Sequence, residues 1–390
     1  MDRKTKLKFE IFAAILVLNL SGSLYVPYIS IYYQHYGLSK SVMGLLTCLG
    51  PVLIIFLQPR IGKIADKTGK GKAICSVFFA LLSVMMLGYL KFPSIAMIVI
   101  GAFGYQNLHY SAGAIFEGVV GRVTREENID YSKVRFLASI GYASGPLIFG
   151  SEVSRNIDFI FIYTIVVSLL TAILIMMIPN ECFIVPEKKE EKETAGRTFQ
   201  SNEYIYVFVL IVVGAMGSMI SYSFFGPIAL ENGIDETLIG RLSFLSAFAE
   251  ILTVPIAKKM NEKYDAVKIF TVLGVGNGAM LLIGSTGKLL LMFVAYFMQG
   301  VFFMTATYSS LVYVSSHCIP GRNSEAQTKL TAVRSGIGTI LAGIVGGQVL
   351  TLLGNHNGLI TMGIVTILLT LFASHFIYIH KRNIKEDLSC

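Results

Sequence analysis

Charge is scarce in this chain. Only 14% of its 390 residues are Asp, Glu, Lys or Arg, while 54% are hydrophobic. A soluble domain carries about 25% charged residues. The polar residues are too few to cover a water-soluble fold, which argues against a soluble enzyme, and the high hydrophobicity argues against disorder. Tryptophan is absent, so any interfacial aromatic belt falls to Tyr and Phe. The five cysteines (Cys48, Cys75, Cys182, Cys318 and Cys390) form no CxxC pair and no metal-ligand spacing. They read as small hydrophobes or loop thiols, and neither metal nor cofactor is expected. No HExxH motif or paired-Asp set is present, so the chemistry of an intramembrane hydrolase is missing.

What is present is a succession of long apolar runs. With about 20 apolar residues per membrane span, twelve spans fit. They lie near 9–34, 41–59, 72–90, 94–121, 133–153, 158–179, 204–230, 237–257, 267–285, 289–314, 328–353 and 358–380. The first run follows Arg3, Lys4, Lys6 and Lys8, and is too long for a cleaved signal peptide. One segment breaks the pattern: 180–203, containing EKKEEKETAGR, reads as a charged linker between a six-helix half at 1–179 and another at 204–390. With the N-terminus inside, 25 of the 32 Lys and Arg fall in cytoplasmic segments and only Lys40, Lys91, Arg155 and Lys288 fall outside. By the positive-inside rule both termini are expected in the cytoplasm, in a multi-pass protein of the plasma (inner) membrane. The net charge of +8 is explained by loop placement rather than by nucleic acid.

The two halves echo each other. Gly44, Pro59, Lys63, Lys67 and Lys72 recur as Gly240, Pro255, Lys259, Lys263 and Lys268, always 196 residues later, and Asp66 falls on Glu262. An all-α membrane protein of two parallel six-helix repeats is the expected fold. The loop Gly62-Lys-Ile-Ala-Asp66-Lys-Thr-Gly69-Lys-Gly-Lys72 resembles the G-x-x-x-D-x-x-G-x-(K/R) signature of the major facilitator superfamily. There it implies a cytoplasmic gate built on Gly62, Asp66, Gly69 and Lys72. A narrower resemblance rests on Tyr25-Val-Pro27-Tyr, Ser39-Lys-Ser41 with Gly44, Gln58-Pro59, Ser111-Ala-Gly113-Ala, Glu117 and Val134-Arg135. These look like the lactose permease group of sugar–proton symporters and its 3-phenylpropionate permease-like relatives, best over 7–150. It implies a monomer that imports a small solute with protons by rocking of two halves.

A charge inside a span is costly and marks function by default. Glu117 on span 4 and Arg135 on span 5 flank the turn Arg122–Asp130 at similar depth. Gln106, Tyr110, Gly113 and Glu117 form one helical stripe, and Arg135, Ser139 and Tyr142 another. The resemblance carries sugar binding over to Glu117 and Arg135; a structural ion pair at the interface is the alternative. It also places Glu250, which shares a face with Ser243 and Ala247, on a Glu that contacts sugar and the coupling network. Asn19 and Ser23 on span 1 and Ser218, Ser221 and Tyr222 on span 7 are further cavity polars. The group's Lys–His–Glu set on the tenth helix falls here on Tyr296, Gln299 and Phe302, aligned on Tyr313-Val-Ser-Ser. None cycles a proton near neutral pH, so Gln299 is left as a substrate contact. Coupling passes to Glu250, Glu117 or His109, or is lost in an uncoupled facilitator. Arg334 either receives an anion or snorkels to the cytoplasm. The glycine-rich stretches Gly141–Gly150 and Gly336–Gly347 read as close helix packing, not as phosphate loops.

The leading expectation is proton symport of a sugar or glycoside. An aromatic acid, a nucleoside, drug efflux by antiport, and a sensor without flux are the alternatives.

Overall fold

The computed structural model describes residues 3–129, 131–184, 198–319, 326–327, 329–330 and 332–387, leaving aside the side chains of 49, 52–55, 131–132, 335 and 381–387. Most of the expected linker, 185–197, lies outside the described residues. The described residues are mainly helical. The first half holds α1 (Arg3–Ser23), α2 (Tyr25–His35), α3 (Lys40–Thr68), α4 (Gly71–Lys91), α5 (Ile95–Glu126), α6 (Tyr131–Arg155) and α7 (Phe159–Met177). The second holds α8 (Tyr204–Glu231), α9 (Glu236–Lys263), α10 (Ala266–Gly284) and α11 (Leu289–His317). A π-helical turn, Ala332–Ile337, then leads through α12 (Gly338–Leu341) and a second π-helical turn, Ala342–Gly346, into α13 (Gly347–Asp387). Among the described residues, β-pairing is limited to one isolated bridge, Phe199 with Cys318.

Local chemistry sets the boundaries. Ser94 and Asp265 cap α5 and α10 by accepting from the backbone N–H of Met97 (3.2 Å) and Lys268 (2.9 Å). Leu24 keeps right-handed helical angles, so α1 and α2 run on as one apolar stretch, Arg3–His35. Within α13, Gly354 takes φ 75° and breaks the helical path. Eight helices among the described residues are long and apolar enough to cross a membrane. α5 and α6 fall outside that set; they carry Gln106, Asn107, His109, Glu117, Lys133 and Arg135. The exposed residues of the spanning helices are mostly apolar, with Leu290, Leu352 and Phe372 exposed by 75%, 81% and 72%. Such an outer face suits hydrocarbon rather than water.

The chain folds into two compact units. The first takes Met1–Tyr36, Leu49–Thr194 and Asp235–Phe244; the second takes Gly37–Cys48, Ala195–Ile234 and Leu245–Cys390. Each unit therefore includes the first turns of a helix from the other half of the sequence. In the first, α1 packs on α6 and α7, and α4 on α5 and α7. Phe79, Leu82, Met86, Phe116 and Phe161 fill its core. In the second, α10 packs on α8, α11 and α13 around Phe208, Leu210, Ile211, Leu273 and Val314.

The exchanged turns obey the same 196-residue repeat. Gly37 and Gly233 take φ 76° and 81° in the turns before α3 and α9, a conformation open to glycine at little cost. A Cβ on Gly44 would strike the backbone of Gly343 in the second unit, and one on Gly240 the carbonyl of Pro146 in the first. Each unit also carries a side-chain pair on a carboxylate beside its exchanged turn. In the second unit Lys40 Nζ lies 2.5 Å from Glu231 Oε1, and Asn355 donates to the same carboxylate. In the first, His35 Nε2 lies 3.1 Å from Glu236 Oε1, and Ser154 Oγ donates to Oε2 at 3.1 Å. His35 and Glu231 occupy equivalent positions of the repeat, as do Lys40 and Glu236. The two pairs are thus repeat-related, with the carboxylate on the opposite partner.

Candidate functional site

The signature loop is less of a turn than the sequence suggests. α3 continues through Gly62 and Asp66 to Thr68, and only Gly69, at φ 64°, leaves the helical region. The reason is local: the Thr68 hydroxyl donates to the Ile64 carbonyl at 2.7 Å and accepts from the Lys70 N–H at 3.3 Å, closing the helix there. Asp66 is exposed on the last turns of α3, and Lys72 stands in the first turn of α4.

In the first unit, α5 and α6 bring the two sequence-read stripes together. Glu117 Oε1 and Arg135 Nη1 are 3.9 Å apart, with side chains 49% and 57% exposed. Tyr110, two stripe positions before Glu117, is exposed, and Tyr142 is half-buried. The contact is long for a charge-assisted hydrogen bond, so both groups keep hydrogen-bonding capacity. Asn19 donates its own amide to the Ile15 carbonyl at 2.8 Å. His109 is buried elsewhere in the bundle. It stacks on Tyr105 at 5.0 Å, meets Phe79 and Tyr110 edge-on, and shares a 3.3 Å hydrogen bond with Ser21. No described carboxylate pairs with it.

The second unit assembles a different cluster. Tyr222 Oη on α8 donates to Glu250 Oε1 on α9 at 3.2 Å. The Tyr222 ring meets Phe303 of α11 edge-on at 5.3 Å. The guanidinium of Arg334, on the π-helical turn, lies over the same Phe303 ring at 4.9 Å. Glu250 is the carboxylate whose charge bears on it. A π-helical turn widens the helix locally and recurs at functional sites. Gln299 lies close by but is buried and held at both ends. It donates to Ser221 at 2.8 Å and accepts from Ser246 at 3.1 Å. Ser218 donates to Asn277 at 2.8 Å beneath it.

Phe303 and Ser246 escaped the sequence reading. A Phe among many in an apolar helix carries no signal of its own. Ser246 stands one turn before Glu250, a spacing the face Ser243–Ala247–Glu250 passes over. The His35–Glu236 and Lys40–Glu231 pairs were missed as well, because the partners stand 201 and 191 residues apart.

The MFS_1 like family model matches residues 12–357. The transporter YwbF of Bacillus subtilis (strain 168), uncharacterized, is 24% identical over 357 residues, covering 89% of this chain and 87% of its own length. The maltose permease of Geobacillus stearothermophilus is 23% identical over 337 residues, 84% of each chain. Among solved structures, the nucleoside transporter NupG superposes with a TM-score of 0.77 over 95% of this chain and 99% of that one, at 13% identity. The chain therefore belongs to the MFS_1 like family, and is a multi-pass membrane transporter of the major facilitator superfamily rather than an enzyme.

Proposed function

We propose that this transporter imports a small polar solute, a sugar or glycoside first, by proton symport with alternating access. The observation that carries the reading is the Glu117–Arg135 pair: opposite charges within membrane helices, 3.9 Å apart and both about half exposed. A purely structural pair in a membrane protein is expected to be tight and enclosed, since an open one gives back little for its desolvation. This pair instead offers a carboxylate and a guanidinium to neighbouring hydroxyls. The maltose permease, similar over most of the chain, supports a sugar.

Glu250 is the proton carrier in this reading. Its carboxylate accepts from Tyr222 and feels Arg334, so solute binding at either neighbour changes its charge balance. His109, packed among rings with one hydroxyl partner, has fewer ways to sense solute. Twelve spans follow if α3, whose residues 41–58 are mostly apolar, crosses the membrane, if α5 and α6 cross in spite of their polar residues, and if α13 crosses after Gly354. Two six-helix halves, 1–179 and 204–390, a cytoplasmic linker and termini, a gate around Gly62, Asp66, Gly69 and Lys72, and a monomer in the plasma (inner) membrane complete the proposal.

The test is uptake of labelled sugars into proteoliposomes holding the full chain. Glu117→Gln and Arg135→Lys are expected to raise KM strongly. Unchanged affinity in both variants would remove the pair from the site.

A further inference from the structure

Arg334 poses a question that transport of a neutral sugar leaves open. It stands on the π-helical turn Ala332–Ile337, inside a long apolar stretch, and lines a small cleft with Leu210, Gly214, Ser218, Asn277 and Phe303. A guanidinium carries five in-plane N–H donors. Among the described residues none of them reaches an acceptor, and no carboxylate comes within 4.0 Å of it. The Phe303 ring covers one flat face at 4.9 Å but cannot accept in-plane donors. Glu250 acts on it only through space, and one of its carboxylate oxygens is taken by Tyr222. Arg334 is partly buried, and a permanently charged group with open donors in such a place is costly unless something fills them. The fork of donors matches a carboxylate bidentately. Among the described residues no second Lys or Arg lines the cleft, and its walls are chiefly apolar. That composition suits a singly charged headgroup and not a phosphate.

We propose that Arg334 receives the carboxylate of the transported solute, which makes the substrate a small organic acid, either an acidic sugar or an aromatic acid. The assignment rests on the transport reading above. Phe303 holds the guanidinium plane in place, and Glu250 is the neighbour whose charge adjusts when the anion arrives.

The experiment uses the full chain in phosphatidylcholine nanodiscs. Matched probes are glucuronate against glucose, phenylacetate against 2-phenylethanol, and benzoate against benzyl alcohol. The readouts are the shift in thermal midpoint and the Kd from its concentration dependence. At least one acid is expected to stabilise the protein saturably while its neutral partner does not. Arg334→Gln is expected to weaken that acid at least tenfold, and Arg334→Lys to keep part of the effect. Equal behaviour of acids and neutral partners, no effect from any acid, or an undiminished acid effect in Arg334→Gln would overturn the assignment. If the variants do not fold, competition in the wild-type protein decides. Inorganic phosphate displacing the acid equally well would mean a general anion or lipid-phosphate site and overturn it; failure to displace supports it. Uptake of glucose without acid binding would overturn the assignment and leave transport standing. Acid binding through Arg334 with no uptake of any solute would do the reverse.

Discussion

Glu117 and Arg135 in the first unit and Gln299 in the second separate binding from stability. An ion pair 3.9 Å apart and half exposed contributes about 0.5 kcal/mol or less to folding. Glu117→Gln is therefore expected to leave the thermal midpoint nearly unchanged while weakening solute affinity about tenfold, the loss of ~1.4 kcal/mol of binding. Gln299 is the opposite case. Gln299→Leu removes the partners of two buried hydroxyls, Ser221 and Ser246, and is expected to cost about 1–3 kcal/mol, read as a lower thermal midpoint. Cys182, in the short turn Asn180–Phe183, is the partly exposed cysteine among the described residues. Burial and the adjacent Glu181 push its thiol pKa up, and Arg122 and Arg3 oppose them. A raised pKa leaves less thiolate at neutral pH. In a Cys390→Ser background, labelling of Cys182 by an impermeant maleimide is expected to be slow at pH 7 and to quicken about tenfold per pH unit below its pKa. With the cytoplasmic linker proposed here, the label enters only from the cytoplasmic side; entry from outside would invert the topology.

At the scale of the element, the exchanged turns of α3 and α9 invite a matched test. Gly44→Val and Gly240→Val each drive a branched side chain into a neighbouring backbone, Gly343 or Pro146, and both are expected to lose folded yield in detergent. Glu231→Lys sets a like charge against Lys40 and is expected to lower the thermal midpoint, and the swap Lys40→Glu with Glu231→Lys to recover most of the loss. The recurrence of Gly44 at Gly240 was legible as an offset in the sequence. Its cause was not, because the backbone each glycine approaches is nearly 300 residues away in one case and about 90 in the other. The same limit hid the reversed pairs: His35 and Glu231 are equivalent by position, one an imidazole and the other a carboxylate, so no search for matching residues finds them. Helix boundaries were easier, since Gly69, Ser94, Asp265 and Gly354 act on their own neighbours. The signature loop misled for the same local reason, as Thr68 lets α3 run past Gly62 and Asp66.

For the whole molecule, hydropathy and charge counts alone led to a helical membrane protein, because lipid leaves a chain few ways to satisfy its backbone. The cluster of the first unit was largely legible, as Tyr110, Glu117, Arg135 and Tyr142 follow helical periodicity on neighbouring helices. The cluster of the second unit was only partly so: Glu250 and Arg334 stood out as charges, while Phe303, which Arg334 and Tyr222 both meet, did not. The central claim is coupled import, and it has a direct measurement. A lightly buffered suspension of cells expressing the transporter is given sugars, glycosides, nucleosides or organic acids while external pH is recorded. Coupled import is expected to raise the pH with one solute class, and Glu250→Gln to abolish the rise. Labelled uptake of that same class with no change in pH would contradict proton symport.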